Sequence, residues 1–271
     1  MNKYTLFIII LIIWNIIIII KKKRKVNKER ITEIKNFNLG SSHSLCAFSK
    51  NLKNNVNLAE NSQTFYYDYK ILSRYFNIIQ EGGVCFLSIS YFSFASKEYW
   101  IKTDLFKYYK ILKITDFSGR AKLECIIYRY FPLIWSIYKK IIKEKKIEDS
   151  KKYLGHVKKL EENRNLEWNI NILNNIIEKC KEKSVKIVFL TTPFRRKYNE
   201  YFSEELLRNN FYMIINKIAK KNNILYLDFS HDYLNYDDSK YFRDLDHLSE
   251  LGSEKFLKQL KKELERREIY I

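Results

Sequence analysis

Glycine and proline are scarce in this chain of 271 residues, at 6 and 2. That scarcity excludes collagen-like, linker-like and low-complexity architectures. It also leaves no glycine-rich loop able to cradle a phosphate. Cysteine is sparse and scattered. Cys46, Cys85, Cys125 and Cys180 form no Cys-x-x-Cys pair, and each lies in or beside an apolar stretch. This spacing disfavours a redox motif and a zinc ligand set, so buried free thiols are expected. The four histidines, His43, His156, His231 and His247, also lack ligand spacing, so neither a metal nor a cofactor is expected. Acidic side chains are outnumbered 31 to 50, for a formal charge of +19. The excess suits an anionic partner, but it also reflects a lysine-rich composition throughout. No nucleic-acid motif accompanies it, and nucleic-acid binding is disfavoured.

Apolar residues, by contrast, are plentiful. They make up 46% of the chain, with 16% aromatic, enough to fill a sizeable core. Tyr4 to Ile20 is an apolar run broken only by Thr5 and Asn15. Its length as a helix is roughly 25 Å, close to the thickness of a hydrocarbon core, and flanking lysines can snorkel. No small-residue cleavage site follows, which predicts an uncleaved transmembrane anchor over residues 1–30. The run Lys21-Lys22-Lys23-Arg24-Lys25 comes directly behind it. By the positive-inside rule this basic flank points to the cytoplasm.

Residues 31–271 read as one α/β domain. Five segments read as strands: Ile34 to Leu39, Asn55 to Leu58, Val84 to Ser90, Val185 to Thr191 and Ile224 to Asp228. Short apolar runs bounded by Gly, Asn or Pro fit strands buried on both faces of a parallel sheet. Helical patterns fall at Thr64 to Ile79, Glu167 to Lys181, Glu204 to Lys220 and Ser253 to Arg266. The alternation implies a flavodoxin-like, doubly wound sheet of five parallel strands, with ligands at the carboxyl ends of the strands. Residues 97–162 do not fit the alternation. They read either as a membrane-surface or partner-binding insertion or as a helical lid.

Two distant features carry chemistry. Gly40-Ser41-Ser42-His43 ends the first strand. A Gly-x-Ser turn there exposes a hydroxyl and aims backbone N–H groups at an incoming oxyanion. Asp244-Leu245-Asp246-His247 precedes the last helix. An acid three residues before a histidine can orient the imidazole, and His247 can then take the proton from Ser42. Either feature alone is commonplace, since serine usually serves turns and aspartate often caps helices. Together, at the two ends of a five-strand pattern, they point to a catalytic set of Ser42, Asp244 and His247. Thr192 and Arg195, after the fourth strand, are expected to line the substrate site. Asp228 and His231 are expected to be structural.

Gly40-Ser41-Ser42 resembles the first block of the SGNH (GDSL-like) hydrolases, and Asp244-x-x-His247 with its trailing Leu248 and Gly252 resembles the last. The Gly-Ser-Ser variant is similar to the membrane-anchored branch that includes the D-alanyl transfer protein of lipoteichoic acid synthesis. The resemblance implies oxyanion donors near His43 and at Asn61, Ser62 and Gln63, with Ser62 standing where the family has glycine. It also implies an asparagine after the third strand, where this chain has Ser90-Tyr91-Phe92-Ser93. The implied activity is a serine esterase or O-acyltransferase at the membrane. Its expected partners are membrane lipid, a glycan or other acylated envelope polymer, and a multispanning membrane acyltransferase. The resemblance places the domain outside the cytoplasm, against the reading of the basic flank. A non-catalytic accessory that presents glycan or lipid is the alternative.

Overall fold

The computed structural model describes residues 10, 12–19, 32–49, 54–98, 102–142 and 149–271. Of the expected anchor, residues 10 and 12–19 are helical; its remainder and the basic flank lie outside the described residues. Among the described residues no helix is long and apolar enough to cross a membrane. The chain divides into two compact units, one of Met1–Thr32 with Ile101–Lys146, the other of Glu33–Trp100 with Ile147–Ile271.

In the larger unit the short apolar runs become five parallel strands: β1 (Asn36–Leu39), β2 (Asn55–Asn57), β3 (Val84–Ser88), β4 (Lys186–Thr191) and β5 (Leu225–Asp228). Their order is β2-β1-β3-β4-β5, the flavodoxin-like order expected. The strands are a residue or two shorter than their apolar runs. Ile34, for example, only bridges to Ile79. The chain leaves β1 toward β2 on one side and returns to β3 on the other. This reversal opens a crevice at the carboxyl ends of β1 and β3, and Ser42 follows β1 directly.

Every residue of β3, and all but Lys186 of β4, is buried, as a central parallel strand covered on both faces requires. The helices of this unit that position the site are α1 (Ser42–Ala47), α2 (Phe65–Tyr75), α5 (Asp149–Glu162), α6 (Leu166–Lys181), α7 (Met213–Asn222) and α8 (Glu250–Glu265). Phe256, Leu260 and Leu264 recur on one face of α8 and join Val188, Leu190 and Leu227 in a single apolar cluster. Each such side chain contributes roughly 1.5–3 kcal/mol through burial. All four cysteines are buried and free.

The smaller unit contains a 3₁₀ segment (Lys102–Lys110) and two helices, α3 (Gly119–Tyr130) and α4 (Pro132–Ile141). Pro132 opens α4 at its first turn, where its missing N–H costs nothing. The 3₁₀ segment and these helices enclose Tyr109, Cys125 and Trp135. They also bury the carboxylate of Glu124, which accepts hydrogen bonds from the Tyr109 hydroxyl at 2.9 Å and the Tyr138 hydroxyl at 2.6 Å.

Candidate active site

Gly40 makes the turn from β1 into α1 at φ +119°, a conformation that L side chains rarely adopt. A Cβ there would stand 2.7 Å from the Ser88 carbonyl oxygen, so no larger residue fits without movement. The Gly40 N–H donates to the Asp68 carboxylate at 2.8 Å, and the Gln63 amide donates to the same oxygen at 2.7 Å. Burial pushes the Asp68 carboxyl up to about 7, against the pull of the Gln63 and Gly40 hydrogen bonds. Asp68 thus braces the turn that presents Ser42. Ser42 begins α1, whose first-turn N–H groups have no intrahelical acceptor.

The histidine arrives from the other end of the chain. Arg243 N–H donates to the His247 carbonyl at 2.9 Å, and Phe242 bridges to Leu248, which closes the loop. Ser249 then caps α8 by accepting from Gly252 N–H at 3.1 Å. A Cβ on Gly252 would meet the Tyr241 carbonyl oxygen at 2.0 Å, which accounts physically for the trailing glycine. Asp244 accepts from the His247 backbone N–H at 2.9 Å and pairs with His247 Nδ1 at 2.8 and 2.9 Å. A carboxylate only accepts, so Nδ1 carries the proton. Nε2 is left to accept from the Ser42 hydroxyl at 2.8 Å. Ser42, His247 and Asp244 therefore stand in one hydrogen-bonded line, Oγ–H to Nε2 and Nδ1–H to carboxylate.

Around this line lies a second, buried network that local sequence patterns do not announce. Asp246 is 1% exposed. It approaches His247 Nδ1 at 3.2 Å, accepts from His43 Nε2–H at 3.0 Å and pairs with Lys152 Nζ at 2.8 Å. Lys152 also reaches Asp244 at 3.5 Å, and His156 Nδ1 stands 3.9 Å from Asp246. Lys152 and His156 both come from α5, within the stretch expected as an insertion, yet α5 belongs to the larger unit. The signal available was the pairing of Lys152 and His156 at i, i+4 on one helix face.

The charges follow from this geometry. Burial alone would raise the Asp246 carboxyl, but its hydrogen bonds with His247 and His43 outweigh that and hold it well below the usual range. Burial likewise opposes ionisation of Asp244, and the His247 hydrogen bond turns its shift downward. For His247, burial disfavours the imidazolium, while the Asp244 hydrogen bond and Asp246 overcome it, leaving the pKa above the ordinary value. His43 goes the other way, lowered by burial despite Asp246, and His156 falls to about 2 for the same reason. His43 is thus neutral, donating through Nε2 and accepting from the Ser90 hydroxyl at Nδ1 over 2.5 Å.

Ser90 stands where the third-block asparagine is missing, and its hydroxyl is spent on His43. Among the expected oxyanion donors, the side chain of His43 is occupied by Asp246 and Ser90, and Gln63 is occupied by Asp68 and the Leu58 carbonyl. Asn61 is exposed. Ser62 takes φ +53°, the left-handed conformation that suits the glycine it replaces. Thr192 is buried, and Arg195 N–H donates to the Leu245 carbonyl at 3.1 Å, tying the loop after β4 to the histidine loop. Asp228 caps Ser230 N–H at 2.9 Å, and His231 pairs with the Ser230 hydroxyl at 2.9 Å. His43, Asp246 and His247 lie close enough together to hold a metal ion. Lys152 already supplies the cation that this carboxylate calls for.

The DltD protein family matches residues 134–263, just under half of the chain. No curated protein matches it. Among solved structures, protein YxiM from Bacillus subtilis is 12% identical with a TM-score of 0.45; the match covers 88% of this chain and 58% of that one. This chain therefore spans less than two thirds of the length of that relative. A protein described as a platelet activating factor from Streptococcus pneumoniae is 15% identical with a TM-score of 0.40, covering 97% of this chain and all of that one. The family match supports a part in cell-envelope modification in the broad sense. Over residues 134–263, a stretch that includes the Asp244-x-x-His247 loop, the chain is identified with the DltD protein family, the branch that its terminal blocks resemble.

Proposed function

We propose that the chain is a serine-dependent acyl-transfer enzyme working at the membrane on a cell-envelope polymer. The observation that carries this reading is the line Ser42 Oγ–His247 Nε2 at 2.8 Å with Asp244 behind Nδ1. In the first half-reaction the Ser42 oxygen bonds to the acyl carbon and its proton passes to His247 Nε2. The bond to the leaving group breaks, and His247 returns the proton to that group. In the second half-reaction His247 takes a proton from water or a sugar hydroxyl, whose oxygen displaces Ser42 from the acyl carbon. Asp244 holds the tautomer and stabilises the transient imidazolium. Backbone N–H groups at the start of α1 and at the Ser62 turn are the proposed oxyanion donors, with Asn61 at its edge. Thr192 and Arg195 are the proposed lining of the acyl-acceptor side.

On this reading Tyr4 to Ile20 is a single-pass anchor, residues 31–271 carry the site, and a multispanning membrane acyltransferase is the proposed partner. The envelope substrate puts the domain outside the cytoplasm, and the Lys21–Arg30 flank is the feature arguing against that side. Labelling of the purified chain with a fluorophosphonate probe tests the chemistry. Adduct formation on Ser42 is expected, and equal labelling of Ser42→Ala would refute the reading. A second reading, a non-catalytic accessory, is favoured by Ser90 in place of the third-block asparagine. It requires Ser42→Ala and His247→Ala to retain full function in cells.

A further inference from the structure

The smaller unit contains twelve of the seventeen large hydrophobic side chains exposed among the described residues. On α4, Ile134, Ile137 and Ile141 are 55%, 63% and 76% exposed, and their i, i+3, i+7 spacing gathers them on one face. On α3, Leu123 and Tyr130 repeat the pattern at i, i+7, and Phe131 joins the two faces at the corner. The opposite face of α4 is satisfied, with Trp135 buried against Phe106, Tyr109 and Tyr128. A water-facing helix pair has no use for an apolar face of this size.

Beside that face opens a cavity of about 560 Å³. Its floor is aromatic, from Phe106, Tyr128 and Trp135, and Lys107, Lys110 and Lys139 stand around its mouth. An apolar floor below convergent cations suits an anion that carries hydrocarbon. The same unit contains the exposed apolar helix of residues 10 and 12–19, and the Asn15 amide of that helix donates to the Tyr130 carbonyl at 2.5 Å.

We infer that the α3–α4 hairpin is a membrane-interface element whose apolar face enters the bilayer and whose lysine-rimmed cavity takes the phosphate of an anionic lipid headgroup. Charge complementarity and the continuity with the apolar N-terminal helix choose this occupant. Aromatic residues at the rim match the headgroup level, where one side of a ring is wet and the other is apolar. The inference does not use Ser42; it shares with the proposed function only association with the membrane.

The test uses the full chain with Ile137→Cys carrying an environment-sensitive NBD probe, an exposed position in a chain whose native cysteines are all buried. In vesicles of phosphatidylglycerol and phosphatidylcholine in equal parts, the emission should shift to the blue. Nitroxide-labelled lipid should quench it several-fold more than aqueous iodide does. Vesicles of phosphatidylcholine alone should weaken the effect, as should Lys110→Glu with Lys139→Glu. Millimolar inorganic phosphate in solution should leave it unchanged. A chain that floats with vesicles while its probe stays open to iodide in both lipids overturns the inference and spares the anchor. A chain that does not float at all overturns both. Shielding only when a membrane acyltransferase is co-reconstituted makes the surface a protein contact instead. Loss of insertion in inorganic phosphate makes the cavity a site for free phosphate, and the headgroup assignment falls.

Discussion

The two units treat their apolar and charged side chains in opposite ways. In the larger unit the apolar residues close over a parallel sheet, and buried charges such as Asp246 find Lys152, His43 and His247. In the smaller unit a well-paired interior around Glu124 coexists with isoleucines that face outward. The first is the arrangement of a site that must hold its groups still in a water-poor crevice. The second is the arrangement of a surface whose solvent is something other than water. One chain thus shows two solutions to where apolar area goes, one set by chemistry and one by location.

The sharpest way to break the comparison is to remove chemistry without touching packing. Ser42→Ala should lower the rate of p-nitrophenyl acetate hydrolysis by roughly 10⁴-fold. Its thermal unfolding midpoint should be unchanged, because no buried contact is lost. Gly252→Ala should do the reverse. It forces a Cβ to within 2.0 Å of the Tyr241 carbonyl, and denaturant unfolding should show a loss of about 3 kcal/mol.

Lys152→Met should cost about 2 kcal/mol, discounted because the ammonium is 27% exposed. Losing this cation should also raise the His247 pKa further. The neutral base then appears only at higher pH, so the acid limb of the pH–rate profile for p-nitrophenyl acetate should move upward.

Acid sensitivity should be confined to the larger unit. His156 holds a folded pKa of about 2 against an ordinary value near 6.5, so the unfolded chain binds the extra proton between those values. Its contribution is complete above pH 6.5 and is lost as pH falls toward 2. His156→Gln should flatten that part of a stability–pH curve. The smallest effect is expected in the smaller unit. Ile137→Asp should change stability in detergent by no more than about 0.5 kcal/mol, measured by denaturant titration. A large loss there would mean that the isoleucine face packs on protein, and the contrast would dissolve.

Much of the frame was legible in the residues. VCFLS and KIVFLT are the runs a doubly covered strand demands, and they became the central pair β3 and β4. Ser42 and His247, singled out for their positions at the two ends of the strand pattern, meet at 2.8 Å. Lys152, Asp246 and His43 were missed as a network because their contacts link positions 94 and 203 residues apart. No local periodicity encodes such a pairing; only the closed sheet brings it about. The helix expected over Glu204 to Lys220 was nearly placed, but residues Arg208–Tyr212 form a π turn within it, which apolar spacing does not reveal. The strand ends shrank for a simpler reason. Ladder hydrogen bonds stop where the neighbouring strand stops, whatever the hydropathy of the next residue.

The line from Ser42 to His247 spans 205 positions of sequence. A chain growing on the ribosome displays its nucleophile early and receives its base almost last. Until the loop at Asp244 has emerged and α8 has docked through Gly252, Ser42 is an ordinary alcohol. Stalled or clipped products ending before residue 244 should therefore leave the fluorophosphonate probe untouched, however well their first strands have paired. Acyl chemistry is switched on by completion of synthesis, so truncated copies at the membrane are chemically silent.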